Sequence, residues 1–89
     1  MSNFKIEYKP IHPGDILKTE FLNEWNISEV DLAKKLNIDQ EIIQEICKGK
    51  RNISDEIASK LAQFFNISVE FWINLQKQYN SKATEFNKN

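Results

Sequence analysis

At 89 residues, 40% of them apolar and including six Phe and two Trp, the chain supports one domain with a single modest core. Twelve basic residues against thirteen acidic leave a net charge of −1, which excludes a global positive field, so any nucleic-acid contact must come from a local patch. No apolar run is long enough to span a bilayer, no signal-like segment is present, and the lone Cys47 precludes an internal disulfide; the expectation is a cytoplasmic chain with no membrane partner.

In chain order, Phe4-Lys5-Ile6-Glu7-Tyr8 alternates apolar and polar residues with the period of a strand. A lone strand is not stable by itself, so this short extended arm, residues 1–11, either lies on the helices, pairs with another chain or stays loose. It is also a candidate for partner contact, since an extended segment can add to a sheet edge. His12-Pro13-Gly14-Asp15 then opens a first helix: Pro suits the first turn, and Asp15 complements the positive end of the dipole. Ile16, Leu17, Phe21 and Trp25 follow at near-helical spacing, and this first helix is expected to end by Asn26.

From there one pattern recurs four times: Asn26-Ile27-Ser28, Asn37-Ile38-Asp39, Asn52-Ile53-Ser54 and Asn66-Ile67-Ser68. Asn tolerates the left-handed conformation in which helices end, and Ser or Asp accepts hydrogen bonds from the free N–H groups that open the next helix. The Ile between them can staple the incoming chain to Leu32, Ile43, Ala58 or Trp72 in turn. Each repeat is thus expected to be a helix boundary, and four boundaries separate five helices. Asn-X-Ser is also a glycosylation acceptor, the weaker reading in a chain without a secretory signal.

The second helix is expected over 28–36, with Ser28 and Asp31 as a reciprocal capping pair and Leu32, Ala33 and Leu36 inward. The third begins after Asp39, turns Ile43, Ile46 and Cys47 inward and stops at Gly49; Cys47 there reads as a small hydrophobe more readily than as a reactive thiol. A basic loop, 48–51, follows. The fourth helix, after Ser54, buries Ile57, Ala58, Leu61, Ala62 and Phe65, and the fifth, after Ser68, carries Phe71, Trp72, Leu75 and Tyr79. Beyond Asn80 no apolar period continues, so the expected layout is an arm at 1–11, a domain at 12–80 and a flexible tail at 81–89.

The second and third helices are joined by only Asn37 and Ile38, and a small residue, Ala33, lies four positions before the turn. A helix-turn-helix needs this, because a larger side chain would push the crossing helices apart. Leu32, Ala33, Leu36, Ile38, Ile43 and Ile46 would form its core, leaving Gln40, Glu41, Gln44 and Glu45 on the outer face of the third helix. A helical bundle that binds no DNA can share this spacing.

His12-Pro13-Gly14-Asp15-Ile16-Leu17, the helix-turn-helix, Gly49-Lys50-Arg51, Ile53-Ser54 and Glu70-Phe71-Trp72-Ile73-Asn74-Leu75-Gln76 together resemble the HigA antitoxin family. That family is a branch of the Cro/lambda-repressor-like (XRE-type) helix-turn-helix proteins. The resemblance covers roughly residues 11 to 80 and implies an all-α, five-helix lambda-repressor-like domain that acts as a homodimer. Such a dimer would bind operator DNA to repress its own operon and sequester a HigB-like toxin, an mRNA endonuclease.

In a helix-turn-helix the second helix enters the major groove. Base readout would fall to Gln40, Glu41 and Gln44, since Gln can bond adenine in a bidentate fashion and Glu can accept from cytosine. Lys48, Lys50 and Arg51, with Lys34 and Lys35, are candidates for phosphate contacts that set register; the competing reading of the basic loop is a solvated helix end that complements its dipole. Asp39, Glu41 and Ile42 depart from the Ser, Arg or Thr common in the family, and over residues 28–51 five acidic residues balance five basic ones. Weak, strongly salt-dependent binding is therefore expected, assisted by dimerisation.

Phe71, Trp72 and Tyr79 are candidates for a dimer or partner surface, against a competing assignment of Trp72 to the core. No metal-ligand spacing or phosphate loop is present, and His12 reads as a helix-start residue, so neither enzyme activity nor a cofactor is expected. Two alternatives stay open: a free-standing transcriptional regulator without a toxin, and a protein-binding module that has lost DNA affinity.

Overall fold

The computed structural model describes the backbone of residues 10–86 and side chains through 83; the Phe4–Tyr8 arm lies outside the described residues. Among the described residues there are five helices and no strand. The first, α1 (residues 13–25), joins three stretches end to end, Pro13–Ile16, Leu17–Leu22 and Asn23–Trp25, the middle one wound as a π-helix. Then come α2 (Glu29–Leu36), α3 (Gln40–Cys47), α4 (Asp55–Phe65) and α5 (Val69–Phe86).

Three of the four Asn-Ile pairs close helices as their chemistry dictates. Asn26, Asn37 and Asn66 are left-handed, with φ of 56°, 58° and 59°. The following N–H of Ile27, Ile38 and Ile67 donates to the carbonyl five residues back, at Leu22, Ala33 and Ala62, over 2.9–3.0 Å. This is the Schellman closure, and its apolar residue packs on the core, as all three Ile side chains do. The Asn52 pair differs: α3 closes on Gly49 (φ 77°), with Lys50 N–H donating to Glu45 O at 2.8 Å. Asn52 is not left-handed and instead bonds a side chain from α5.

At the helix starts, the hydroxyls of Ser28, Ser54 and Ser68 accept from Asp31, Ile57 and Phe71 N–H at 3.0, 3.2 and 3.3 Å. Only the Ser28 half of its expected reciprocal pair forms. Asp39 occupies the cap position of α3 without a side-chain hydrogen bond, so its carboxylate complements that helix through charge alone.

The core is assembled from Leu17 and Leu22 of α1, Leu32, Ala33 and Leu36 of α2, Ile43, Ile46 and Cys47 of α3, Ile53, and Ala58, Leu61, Ala62 and Phe65 of α4, closed by Trp72 of α5. Trp72 is fully buried, which removes it from any dimer or partner surface. Its neighbour Phe71 points outward, because adjacent helical side chains cannot share a face. The apolar residues of α1 do not all face the core. The i→i−5 bonding of the π stretch, for example Asn23 N–H to Lys18 O, brings residues five apart onto one face. Leu17 and Leu22 therefore both enter the core, and Trp25 rotates out to 48% exposure.

α5 runs through Phe86, six residues past the expected end at Asn80. Lys82, Ala83 and Glu85 are good helix formers, and adding a residue to an existing helix costs far less than starting one. At the other end of the fold, Gly14 lets α1 rest directly on the C-terminus of α3. A Cβ at Gly14 would overlap the Ile46 carbonyl and sit 3.1 Å from Cys47 Cα.

Candidate nucleic-acid interface

The α2–turn–α3 unit is rigid because its turn is covalently short and its apolar residues are spent inward. Leu32, Ile43 and Ile46 are completely buried, Ala33 and Leu36 nearly so, and Ile38 is half-buried under the turn. What remains outward on α3 is polar: Gln40 and Glu41 are exposed and Gln44 is half-exposed. Ile42 packs against the core from the α4 side and is not part of the reading face.

Two shallow grooves flank α3 and sort the candidate cations. In one, Gln40 lies with Val30, Lys34, Asn37 and Asp39, so Lys34 shares a surface with the start of the reading helix. Lys35 does not: it lines a separate groove with Lys60, Gln63 and Phe64, toward α4. In the second groove Gln44 lies with Lys18 and Asn23 of α1 and with Ser28, Glu29 and Val30 at the start of α2. Lys18 and Asn23 escaped sequence reasoning. They carry no spacing signal, because only the packing of α1 against α2 and α3 brings them beside Gln44.

Lys48, Lys50 and Arg51 are exposed in the loop after α3. Arg51 is not free: its Nε donates to Glu45 Oε1 at 2.7 Å, with both side chains nearly half exposed. Such a surface pair is worth at most about 1 kcal/mol, little enough for an incoming phosphate to displace. The loop itself is anchored from α5. Gln76, 7% exposed, accepts the Ile53 N–H at 2.7 Å, and its amide nitrogen donates to Asn52 Oδ1 and Asn80 Oδ1, each at 3.1 Å. Gln76 stands in the Glu70–Gln76 segment that carried the family resemblance, but without a role there. α4 braces the unit as well, the Lys60 ammonium donating to the Leu36 carbonyl at the end of α2 over 3.1 Å.

His12 sits beneath this loop. Its Nδ1 accepts the Gly14 N–H at 2.9 Å and caps α1, while its ring meets Tyr79 edge-on at 4.7 Å. Nε2 is buried without a hydrogen-bond partner. Burial lowers the imidazole pKa below 6.5, against the opposing pull of the Asp15 carboxylate and the nearby Arg51 backbone. Tyr79, half-buried on His12, thus contributes to the fold before any partner surface. Burial also pushes the Cys47 thiol up to about 12, reinforced by the Glu29 carboxylate against it, so the thiol stays protonated and packs as a hydrophobe.

Among the described residues no group of His, Cys, Asp and Glu is placed to hold a metal, and no helix is long and apolar enough to cross a membrane. The arrangement presents two amides and a carboxylate on the polar face of one helix, with exposed cations beside it, groups that have the chemistry to meet base edges and phosphates.

The helix-turn-helix family HTH_3 matches residues 20–72. The chain is 36% identical over 84 residues to virulence-associated protein I of Dichelobacter nodosus, spanning 94% of this chain and 78% of that protein. The antitoxin HigA of Pseudomonas aeruginosa, solved with the higBA promoter, superimposes with a TM-score of 0.83 at 40% identity, over 88% of this chain and 86% of that one. A HigA-family addiction module antidote protein from Coxiella burnetii gives 0.82 at 40% identity, over 86% and 84%.

Proposed function

This chain belongs to the HTH_3 family of helix-turn-helix proteins, in the branch that holds the HigA antitoxins, and on that premise we propose that it is the operator-binding antitoxin of a toxin–antitoxin pair. As a dimer it binds the promoter of its own operon in the cytoplasm, represses it, and neutralises a cognate mRNA-endonuclease toxin. The observation that carries this reading is the outward presentation of Gln40 and Gln44 on a helix whose isoleucines are all spent on the core. Gln40, Glu41 and Gln44 read bases. Lys34, Lys48, Lys50, Arg51 and the newly recruited Lys18 meet phosphates, and Lys35 is the outlier of the set.

Two-fold symmetry places one α3 in each of two major grooves about one helical turn apart. The dimer face is assigned to the middle turns of α5, where Leu75 and Tyr79 form an apolar groove with Ile16 and the 62%-exposed Ile11. Because Asp39 and Glu45 border the reading face and Glu41 adds a carboxylate to it, each half-site binds weakly and the dimer supplies the affinity. A gel-shift with the promoter region at two salt concentrations tests the assignment: retardation at low salt that fades steeply with added salt is expected, and none at low salt rejects it. Co-expression with the neighbouring gene separates the antitoxin from a free-standing regulator, since only the antitoxin rescues growth.

A further inference from the structure

A strip of aromatic rings crosses the surface where α1, α4 and α5 meet. Phe71, 38% exposed, lies 6.0 Å from Phe21 between ring centroids, and Phe21 lies 4.8 Å from Phe65. Phe65 is 4.9 Å from Trp25, and Trp25, 48% exposed, is 5.9 Å from Phe64. Phe21 and Phe64 are half-buried. Phe65, the link between Phe21 and Trp25, is buried, so the line reaches water mainly at Phe71 and Trp25; exposed rings of this kind mark a contact surface, because each offers large area at little entropy cost when covered. No residue of α2 or α3 belongs to the strip, so it is separate from the reading face.

The charge around it narrows what can cover it. Glu20 and Glu24 of α1 and Glu70 in the first turn of α5 are exposed beside the rings in sequence. α1 and α4 both end here, each with no basic residue in its last turn, so two negative helix ends add to the carboxylates. The cations that border the strip, Lys35 and Lys60, lie beyond Phe64, and Lys60 is held by the Leu36 carbonyl. A second copy of this chain fits poorly, because a two-fold contact lays a patch on itself and would oppose like charges. Nucleic acid fits worse. Exposed rings on helix segments that carry exposed carboxylates and no Lys or Arg call for a protein that presents apolar side chains accompanied by Lys and Arg.

We propose that the Trp25–Phe21–Phe71 strip is the surface on which this chain docks a basic partner protein, the toxin. The assignment rests on the antitoxin reading and adds where the toxin sits. It uses residues distinct from the Leu75–Tyr79 groove given to the dimer and from the α3 side chains given to DNA.

The test measures affinity for the protein encoded by the adjacent reading frame, using the full chain. The double variant Trp25→Ser/Phe71→Ser should weaken binding about 100-fold. Glu24→Lys/Glu70→Lys, which leaves every ring in place, should weaken it about tenfold at low salt and less at high salt. Both variants should keep the dimer mass and the promoter gel-shift. Unchanged affinity in both, with the wild type binding, overturns the strip alone. A wild type that does not bind overturns the antitoxin reading beneath it, and a variant that turns monomeric assigns the strip to the dimer instead.

Discussion

Gln76 accepts the Ile53 N–H at 2.7 Å, 23 positions away in sequence, and so ties the last helix to the loop that carries the exposed cations. This contact helps to fix the loop from which Lys48, Lys50 and Arg51 project beside the proposed interface. The Ile53 N–H is buried, and an unpaired buried donor costs about 1–3 kcal/mol. Gln76→Leu should lower stability by that amount in urea unfolding. It should also weaken specific and random DNA equally in gel-shifts, because what it loosens is the Lys48–Arg51 loop and not the reading helix.

Gly14 is a point of close backbone contact between α1 and α3. Gly14→Ala forces a methyl group into the Ile46 carbonyl, which backbone cannot yield cheaply. Overpacking of this kind costs about 1–3 kcal/mol, and more where backbone must move. Thermal unfolding should place the variant at or above the top of that range. An unchanged melting temperature would mean that α1 does not rest on α3 as described.

Base readout and phosphate binding separate by substitution. Gln44→Ala should cost about 1–3 kcal/mol on the operator, relaxing one position in each half-site, and leave random DNA unaffected. Glu45→Gln should do the reverse: it removes a carboxylate from the phosphate-facing edge and frees Arg51 from the 2.7 Å pair. Affinity should rise for all sequences, with the salt slope steeper by about one unit. Arg51→Ala should flatten the slope by about the same amount. Fluorescence anisotropy across a salt series checks all three.

His12 makes stability pH-dependent. Its pKa in the folded chain lies below 6.5, so as pH falls through 6.5 the unfolded chain takes up a proton before the folded one does. The folded state thereby loses stability between pH 6.5 and the lower folded pKa, and no further below it. Protonation also converts Nδ1 from acceptor to donor, which opposes the Gly14 N–H it now accepts. His12→Asn, which keeps a capping oxygen, should remove this part of the pH dependence when melting temperatures are compared from pH 8 to pH 5.

Local chemistry wrote the helix ends into the sequence. Asn26, Asn37 and Asn66 close helices and Ser28, Ser54 and Ser68 open them, because those events involve only neighbouring backbone groups. The same locality exposes the helix-turn-helix and the outward Gln40 and Gln44. What needed tertiary structure depends on contacts between distant parts of the chain. Asn52 had the composition of a helix end but is used by Gln76. The π-helical widening of α1 moved Leu22 inward and Trp25 outward, where a regular 3.6-residue period gives the opposite order. Lys18 comes to share a groove with Gln44 only once the helices are packed. Periodicity assigns faces to a helix one at a time; which face is covered, and by whom, is settled when five of them share one core.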